Sequence, residues 1–159
     1  MQEIKLSYEV QHTIGAPLAE VYTFFSDMHN LRDCTADVVD FEEVDKQTSK
    51  WRLETKRELG MQFTPEYTLR YDYEPNSEVS WRSIDGNVCI DAKLKLVSMD
   101  EQVTHVTVRE DVSFKLPVSA IMAKIVKTVA LIETRKGMLD VLKIAGKRLS
   151  NNTQLDSIT

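Results

Sequence analysis

The fold of this chain is decided by residues Leu116–Ser150, whose sequence is LPVSAIMAKIVKTVALIETRKGMLDVLKIAGKRLS. This is the only long run in which apolar residues recur at steps of three and four, the spacing of one helix face. Pro117 suits a first helical turn, where its missing N–H would have no partner, and Asn151 and Asn152 after Ser150 are typical of a helix end. At about 1.5 Å per residue the predicted helix is roughly 50 Å long. It needs a large apolar surface to pack on.

The chain before this helix is predicted to be mostly β-strand. Leu6 to Ile14 alternates apolar and polar residues, as a half-buried strand does, and two short helices follow from Pro17 and Met28. Six further strands are predicted, at 37–44, 50–59, 62–73, 78–84, 88–98 and 103–114. Strands joined by short turns form an antiparallel sheet, which must bury one face. We therefore predict an α+β domain in which a curved seven-stranded antiparallel sheet wraps around the long C-terminal helix.

Length and composition indicate one domain. The 159 residues, 42% of them hydrophobic, contain no linker, so we predict a single domain over 1–150 and a flexible tail over 151–159. The 25 acidic residues outnumber the 20 basic ones, which argues against a nucleic-acid partner. The N-terminus lacks the pattern of a signal peptide and no run is apolar enough to span a membrane, so a cytoplasmic location is expected. Cys34 and Cys89 are expected to be reduced.

The element order and one short motif resemble the START/birch-pollen-allergen (SRPBCC) superfamily. The motif is Val10–Tyr22, VQHTIGAPLAEVY, followed by Phe25-Ser26-Asp27. Within the superfamily, the chain is most similar to the polyketide cyclase/dehydratase and coenzyme-Q-binding branch. The resemblance covers roughly Leu6 to Leu149 and implies a helix-grip fold with an apolar cavity between the sheet and the long helix. It does not imply an activity by itself.

Aromatic side chains concentrate on one face of the predicted strands. An apolar wall with a few hydroxyl groups could bind and orient an apolar ligand, although the same side chains could instead pack against the long helix. Given the resemblance, we expect a cavity. The expected ligand-binding residues are Trp51, Phe63, Tyr67, Tyr71, Trp81, Glu110, Arg57, Val129 and Ile132.

Glu110 lies in the alternation Val106, Val108, Glu110, Val112, Phe114, which should face the helix. An inward carboxylate is costly unless it is paired, and burial raises its pKa. Glu110 is therefore either salt-bridged, with Arg57 or Arg70 as partner, or a functional acid/base or ligand anchor. It is the only candidate catalytic residue.

Other kinds of chemistry are disfavoured. His12, His29 and His105 lack metal-ligand spacing, and no nucleophile elbow, glycine-rich phosphate loop or paired cysteine motif occurs. We expect no metal and no cofactor.

The long helix carries two apolar stripes. The stripe that includes Ile121, Ile125 and Ile132 stops before Gly137, and a second one with Leu142 and Leu149 is rotated by roughly a third of a turn. A bend, a break or a change of environment is therefore expected near Gly137, with gentle curvature as the alternative. Spare apolar surface on the first half would suit a peripheral membrane contact or a homodimer.

Three functions remain open. The first is a binding or carrier protein for a hydrophobic small molecule such as a lipid, an isoprenoid quinone or a polyketide-like compound. The second is a cofactor-independent cyclase/dehydratase that uses Glu110 with an Arg or a Tyr as acid/base. The third is a membrane- or assembly-associated adaptor that works through the surface of the long helix.

Overall fold

The computed structural model describes the backbone of residues 1–158 and the side chains of residues 1–150. It confirms the predicted α+β architecture of one seven-stranded antiparallel sheet, two short helices after the first strand and a long C-terminal helix. In chain order the elements are β1 (Gln2–Ile14), α1 (Leu18–Phe25), α2 (Met28–Cys34), β2 (Val38–Asp45), β3 (Thr48–Leu53), β4 (Lys56–Glu58), β5 (Met61–Phe63), β6 (Glu66–Glu74), β7 (Glu78–Gly86), β8 (Val88–Asp100), β9 (Val103–Leu116) and α3 (Ala120–Ile158).

The main sheet has the order β1-β9-β8-β7-β6-β3-β2, so the first and last strands are neighbours. They pair along their whole length, from Gln2 opposite Leu116 to Ile14 opposite Thr104. The second half of α3 packs closely on β1. A Cβ atom at Gly146 would lie only 3.2 Å from Nε2 of His12, so a larger residue there would require the His12 side chain or the helix to shift. At the same end of the domain, α1 and α2 bury Val21, Phe25 and Met28.

The predicted strand over 50–59 is divided in two. β3 ends at Leu53, and β4 pairs with β5 in a separate two-stranded sheet, which we call the β4–β5 hairpin. Its tip holds Leu59 and Gly60 at positive φ, 53° and 76°. The predicted strand over 62–73 is also interrupted, at Pro65, which has no N–H for a ladder hydrogen bond. The hairpin therefore stands apart from the main sheet.

The bounds of the long helix differ from the predicted ones. Leu116 ends β9, because its backbone pairs with Gln2, and the helix begins at Ala120 after Ser119, whose Oγ accepts a hydrogen bond from the N–H of Met122 (3.1 Å). The helix is unbroken at Gly137. The helix also continues past the predicted end at Ser150, to Ile158, whereas the flexibility expected of a tail over 151–159 stays a prediction.

The predicted change of environment along α3 is confirmed. In the second half Val141, Leu142, Ala145 and Leu149 are buried in the core. In the first half the apolar stripe faces solvent, with Ile132 64% exposed. The two halves of the helix therefore present different faces to the sheet.

Candidate functional site

A row of buried side chains crosses the inner face of the sheet. Tyr8 on β1 lies opposite Glu110 on β9, Glu110 opposite Ala92 on β8, Ala92 opposite Trp81 on β7, and Trp81 opposite Tyr71 on β6. All five are less than 9% exposed. Because cross-strand neighbours on one face are in contact, the row spans five strands and joins polar groups from four of them. Ala92 is small, which leaves space for the Trp81 indole to reach the Glu110 carboxyl group.

Glu110 is held by two neutral donors. The Tyr8 hydroxyl donates a hydrogen bond of 2.6 Å to Oε1, and the Trp81 side chain donates another to the carboxyl group. Burial raises the pKa of Glu110 to about 7, and the two hydrogen bonds oppose that rise only in part. A substantial fraction of Glu110 is therefore protonated near neutral pH, so this buried carboxyl group can both hold and release a proton.

The neighbouring phenols stay protonated. Burial is the main cause that raises the pKa values of Tyr8 and Tyr67 well above the usual range, and the negative charge of Glu110 is the second largest cause. Burial also raises the pKa of Tyr71 to about 12. A second polar cluster extends the row, because the Ser49 hydroxyl hydrogen-bonds the Tyr71 hydroxyl and accepts from the Trp51 indole N–H, both at 2.7 Å. Among the described residues, every buried side-chain nitrogen or oxygen has a hydrogen-bond partner.

An apolar pocket of about 90 Å³ lies between the β4–β5 hairpin and the first half of α3. The Phe63 and Phe114 rings, 5.3 Å apart between centroids, meet there. The apolar lining residues are Leu59, Met61, Phe63, Phe114, Leu116, Val126 and Ala130, and the polar ones are Lys56, Glu58 and Glu133. The pocket is an apolar recess with charged groups at one side.

The pocket and the polar row share strand β9. Phe114 follows Glu110 by four residues on the same strand face, which places the row about 13 Å farther along the strand at about 3.3 Å per residue. Glu110 does not line the pocket. A larger depression, of about 240 Å³, lies near Asp40, Lys50 and Arg52. Its lining is mainly charged, so it is poorly suited to an apolar ligand.

Two carboxyl groups face each other where the hairpin meets α3. Partial burial raises the pKa of Glu133, and a hydrogen bond with Glu58 raises it further, whereas Lys56 opposes the rise. Lys56 also forms a 2.8 Å ion pair with Asp37, the residue that directly precedes strand β2. The contact between the hairpin and the helix is therefore made of apolar side chains and a few polar pairs.

The structure places the predicted site residues in three groups. Trp51, Tyr71, Trp81 and Glu110 are buried and Tyr67 is partly buried, and the Trp51 and Tyr67 rings stack with centroids 6.3 Å apart. Phe63 lines the pocket, and its role in ligand binding stays a prediction. The remaining residues, Arg57, Val129 and Ile132, are absent from the lining of the pocket.

Several predicted contacts require correction. Neither predicted arginine pairs with Glu110, since Arg57 is exposed on the hairpin and Arg70 reaches toward Gln47. The partners of Glu110 are Tyr8 and Trp81 instead. Ile132 is 64% exposed because the first half of α3 turns Val126 and Ala130 toward the sheet and the isoleucine stripe outward.

Sequence reasoning missed Tyr8 and most of the pocket lining. Tyr8 belongs to the apolar side of the alternation along β1, but nothing local shows that β1 pairs with β9, so its contact with Glu110, 102 residues away, could not be foreseen. Val126 and Ala130 repeat at a helical step of four, a signal that the more conspicuous isoleucine stripe obscured.

The described residues show neither a metal site nor a membrane span. No cluster of three or more His, Cys, Asp or Glu side chains among them is arranged to hold a metal ion. No helix in the described part of the chain is long and apolar enough to cross a membrane.

Comparison with solved structures identifies the fold. A START superfamily protein from Mycobacterium smegmatis matches with a TM-score of 0.66 at 17% identity, over 92% of this chain and 99% of that one. The chain has the fold of this START superfamily protein. A protein from Thermus thermophilus matches with a TM-score of 0.74 at 15% identity, over 92% and 99% of the two chains. No family model and no curated protein matches the sequence.

A structure described as an aromatase/cyclase shares this fold. The Zhui aromatase/cyclase from Streptomyces sp. R1128 matches with a TM-score of 0.67 at 17% identity, over 91% of this chain and 95% of that one. The predicted resemblance is thereby confirmed at the level of the fold. At these identities the likeness carries no residue role from one protein to the other.

Proposed function

We propose that the protein binds a hydrophobic small molecule in the pocket between the β4–β5 hairpin and α3. The observation that carries this proposal is the apolar lining, in which Phe63, Phe114, Val126 and Ala130 are only partly buried although they face the interior. Apolar side chains left partly accessible in a recess gain free energy when a ligand covers them, at about 25 cal/mol per Å². A lipid, an isoprenoid quinone or a polyketide-like compound has the chemistry that such a lining favours.

Binding requires the hairpin to move. The pocket of about 90 Å³ is well below the ~300–1,000 Å³ typical of small-molecule sites. The β4–β5 hairpin forms its own two-stranded sheet, so it can separate from α3 without breaking the ladder of the main sheet. A Thr55–Thr64 hydrogen bond of 2.7 Å closes the base of the hairpin, the Lys56–Asp37 ion pair connects it to the start of β2, and a Glu58–Glu133 hydrogen bond connects it to α3. Elements with so few connections open at a low cost in free energy.

A cyclase/dehydratase-type enzyme is the second candidate. It is supported by Glu110, whose pKa of about 7 suits proton transfer near neutral pH, and by the adjacent Tyr8 hydroxyl. Against it, Glu110 is fully enclosed and does not line the pocket. A ligand that opened the hairpin would have to extend well past Phe114 to reach it. Binding is therefore the stronger proposal.

The binding proposal is tested by filling the pocket. Ala130→Trp places an indole between α3 and Phe114, whereas Ile132→Trp puts the same side chain on the exposed face of the helix. The probe is N-phenylnaphthylamine, a neutral compound that fluoresces in apolar surroundings. We expect the wild type and Ile132→Trp to bind it alike, and Ala130→Trp to bind at least tenfold more weakly while retaining the wild-type circular dichroism. Equal binding by all three folded proteins would reject this pocket.

A further inference from the structure

The outward face of α3 carries an exposed apolar stripe. Ile121 is 77% exposed, Ile125 45% and Ile132 64%. At 100° per residue the three positions fall within about 40° of one another around the helix axis, and at 1.5 Å per residue they extend over about 17 Å. The stripe lies on the side of the helix opposite Val126 and Ala130, which line the pocket. It is therefore separate from the proposed ligand pocket.

Basic side chains border this stripe. Lys124 and Arg135 lie on one side of it around the helix and Lys136 on the other, and all three are exposed. Between Ala120 and Ser150 the helix has seven basic and two acidic side chains, in a chain whose net charge is −5. The acidic ones, Glu133 and Asp140, lie roughly a quarter turn or more from the stripe. A surface that combines exposed isoleucines with flanking cations complements an anionic and partly apolar partner.

We propose that this face of α3, defined by Ile121, Ile125 and Ile132 with Lys124, Arg135 and Lys136, docks on a lipid bilayer that contains anionic phospholipid. A helix that lies in the interface buries its apolar stripe among the headgroups and acyl chains while its flanking lysines and arginines contact lipid phosphates. A second copy of the chain fits less well, because two such faces would bring like charges together.

Docking in this way places α3 between the bilayer and the proposed pocket, because the stripe and the pocket lie on opposite sides of the helix. Leu59 at the tip of the β4–β5 hairpin is 50% exposed and borders the pocket together with Val126 of α3. The docking does not depend on the ligand proposal, because its residues do not line the pocket.

The test is vesicle flotation with the full chain. Vesicles of phosphatidylcholine alone are compared with vesicles of phosphatidylcholine and phosphatidylglycerol in equal parts. We expect binding only to the anionic vesicles, weakening steeply as salt is raised. Neutralising the three cations with Lys124→Gln, Arg135→Gln and Lys136→Gln should weaken binding about a hundredfold. Replacing the exposed isoleucines by Ile125→Glu and Ile132→Glu should weaken it about tenfold or more.

Matched controls separate docking from misfolding. Val97→Glu changes an exposed apolar residue on β8, 57% exposed, and should leave flotation unchanged. All substituted positions are exposed, so circular dichroism and the melting temperature should match those of the wild type. Failure of the wild type to bind anionic vesicles would overturn the proposal, as would wild-type binding by the Ile125→Glu, Ile132→Glu variant. A dimer that this variant dissociates, without vesicle binding by the wild type, would assign the face to a second copy instead.

Discussion

The Tyr8 hydroxyl donates a 2.6 Å hydrogen bond to Oε1 of Glu110, joining the first and last strands of the sheet inside the core. Trp81 donates to the same carboxyl group from the other side. The charge that part of the Glu110 population carries is thus stabilised by neutral donors rather than by an arginine. A buried carboxyl group in such surroundings should affect stability in a manner that depends on pH.

Glu110→Gln should change the pH dependence of stability. The folded pKa of about 7 exceeds the ordinary value of 4.5, so the folded protein binds a proton more tightly than the unfolded chain does. The free energy of unfolding of the wild type should therefore fall as pH rises from about 4.5 to about 7, by up to about 3 kcal/mol. Glu110→Gln should flatten this fall in urea titrations at a series of pH values.

The control is Glu9→Gln, which changes an exposed carboxyl group on β1 and should preserve the wild-type pH profile. A profile of Glu110→Gln that matches the wild type would show that Glu110 titrates normally in the folded protein.

Tyr8→Phe should raise the pKa of Glu110 further, because it removes the stronger of the two hydrogen bonds that lower it. A double-mutant cycle of Tyr8→Phe with Glu110→Gln should give a coupling free energy of about 0.5–3 kcal/mol. Ser7→Ala, which removes the exposed hydrogen bond to Asp111, is the matched control on the same strand pair. A coupling free energy of zero would mean that the two side chains do not interact in solution.

Truncation of a side chain to alanine should affect stability strongly on the buried face of α3 and weakly on its exposed face. Leu142 is fully buried, so Leu142→Ala should lower the free energy of unfolding by about 2–5 kcal/mol. Ile132 is largely exposed, and Ile132→Ala should change it by less than about 0.5 kcal/mol. Chemical denaturation measures both. A large loss of stability in Ile132→Ala would indicate that the first half of the helix is covered in the isolated protein.

Weakening the hairpin contact should speed ligand binding. Asp37→Asn removes the 2.8 Å ion pair with Lys56 without changing a residue that lines the pocket, and should increase both amide hydrogen exchange over residues 56–63 and the association rate of N-phenylnaphthylamine. Lys5→Gln, which removes a longer 4.0 Å surface pair on β1, serves as the control. Unchanged exchange in the hairpin would argue that it does not gate the pocket.

Much of the fold could be predicted because local patterns specify it. The alternation along β1 and the helical spacing around Leu142 depend only on neighbouring residues. The features that were predicted wrongly depend on contacts between residues far apart in the sequence. Leu116 is the end of a strand and not the start of a helix because its backbone pairs with Gln2, at the other end of the chain.

The site was harder to predict for the same reason. Glu110 was correctly expected to face the interior, but its partner Tyr8 is identified only by the pairing of β1 with β9. For the long helix, periodicity shows which residues share a face without showing which face packs. Ile132 was therefore assigned to the ligand, whereas Ala130, two positions earlier, lines the pocket.

The most direct test of the central claim is native mass spectrometry of the wild type, Ala130→Trp and Ile132→Trp after each is purified from its host under mild conditions. The account predicts a hydrophobic molecule bound one to one to the wild type and to Ile132→Trp, and its absence from Ala130→Trp. It would be contradicted if no hydrophobic molecule accompanied the wild type even after incubation with a total lipid extract, or if Ala130→Trp retained the molecule in full.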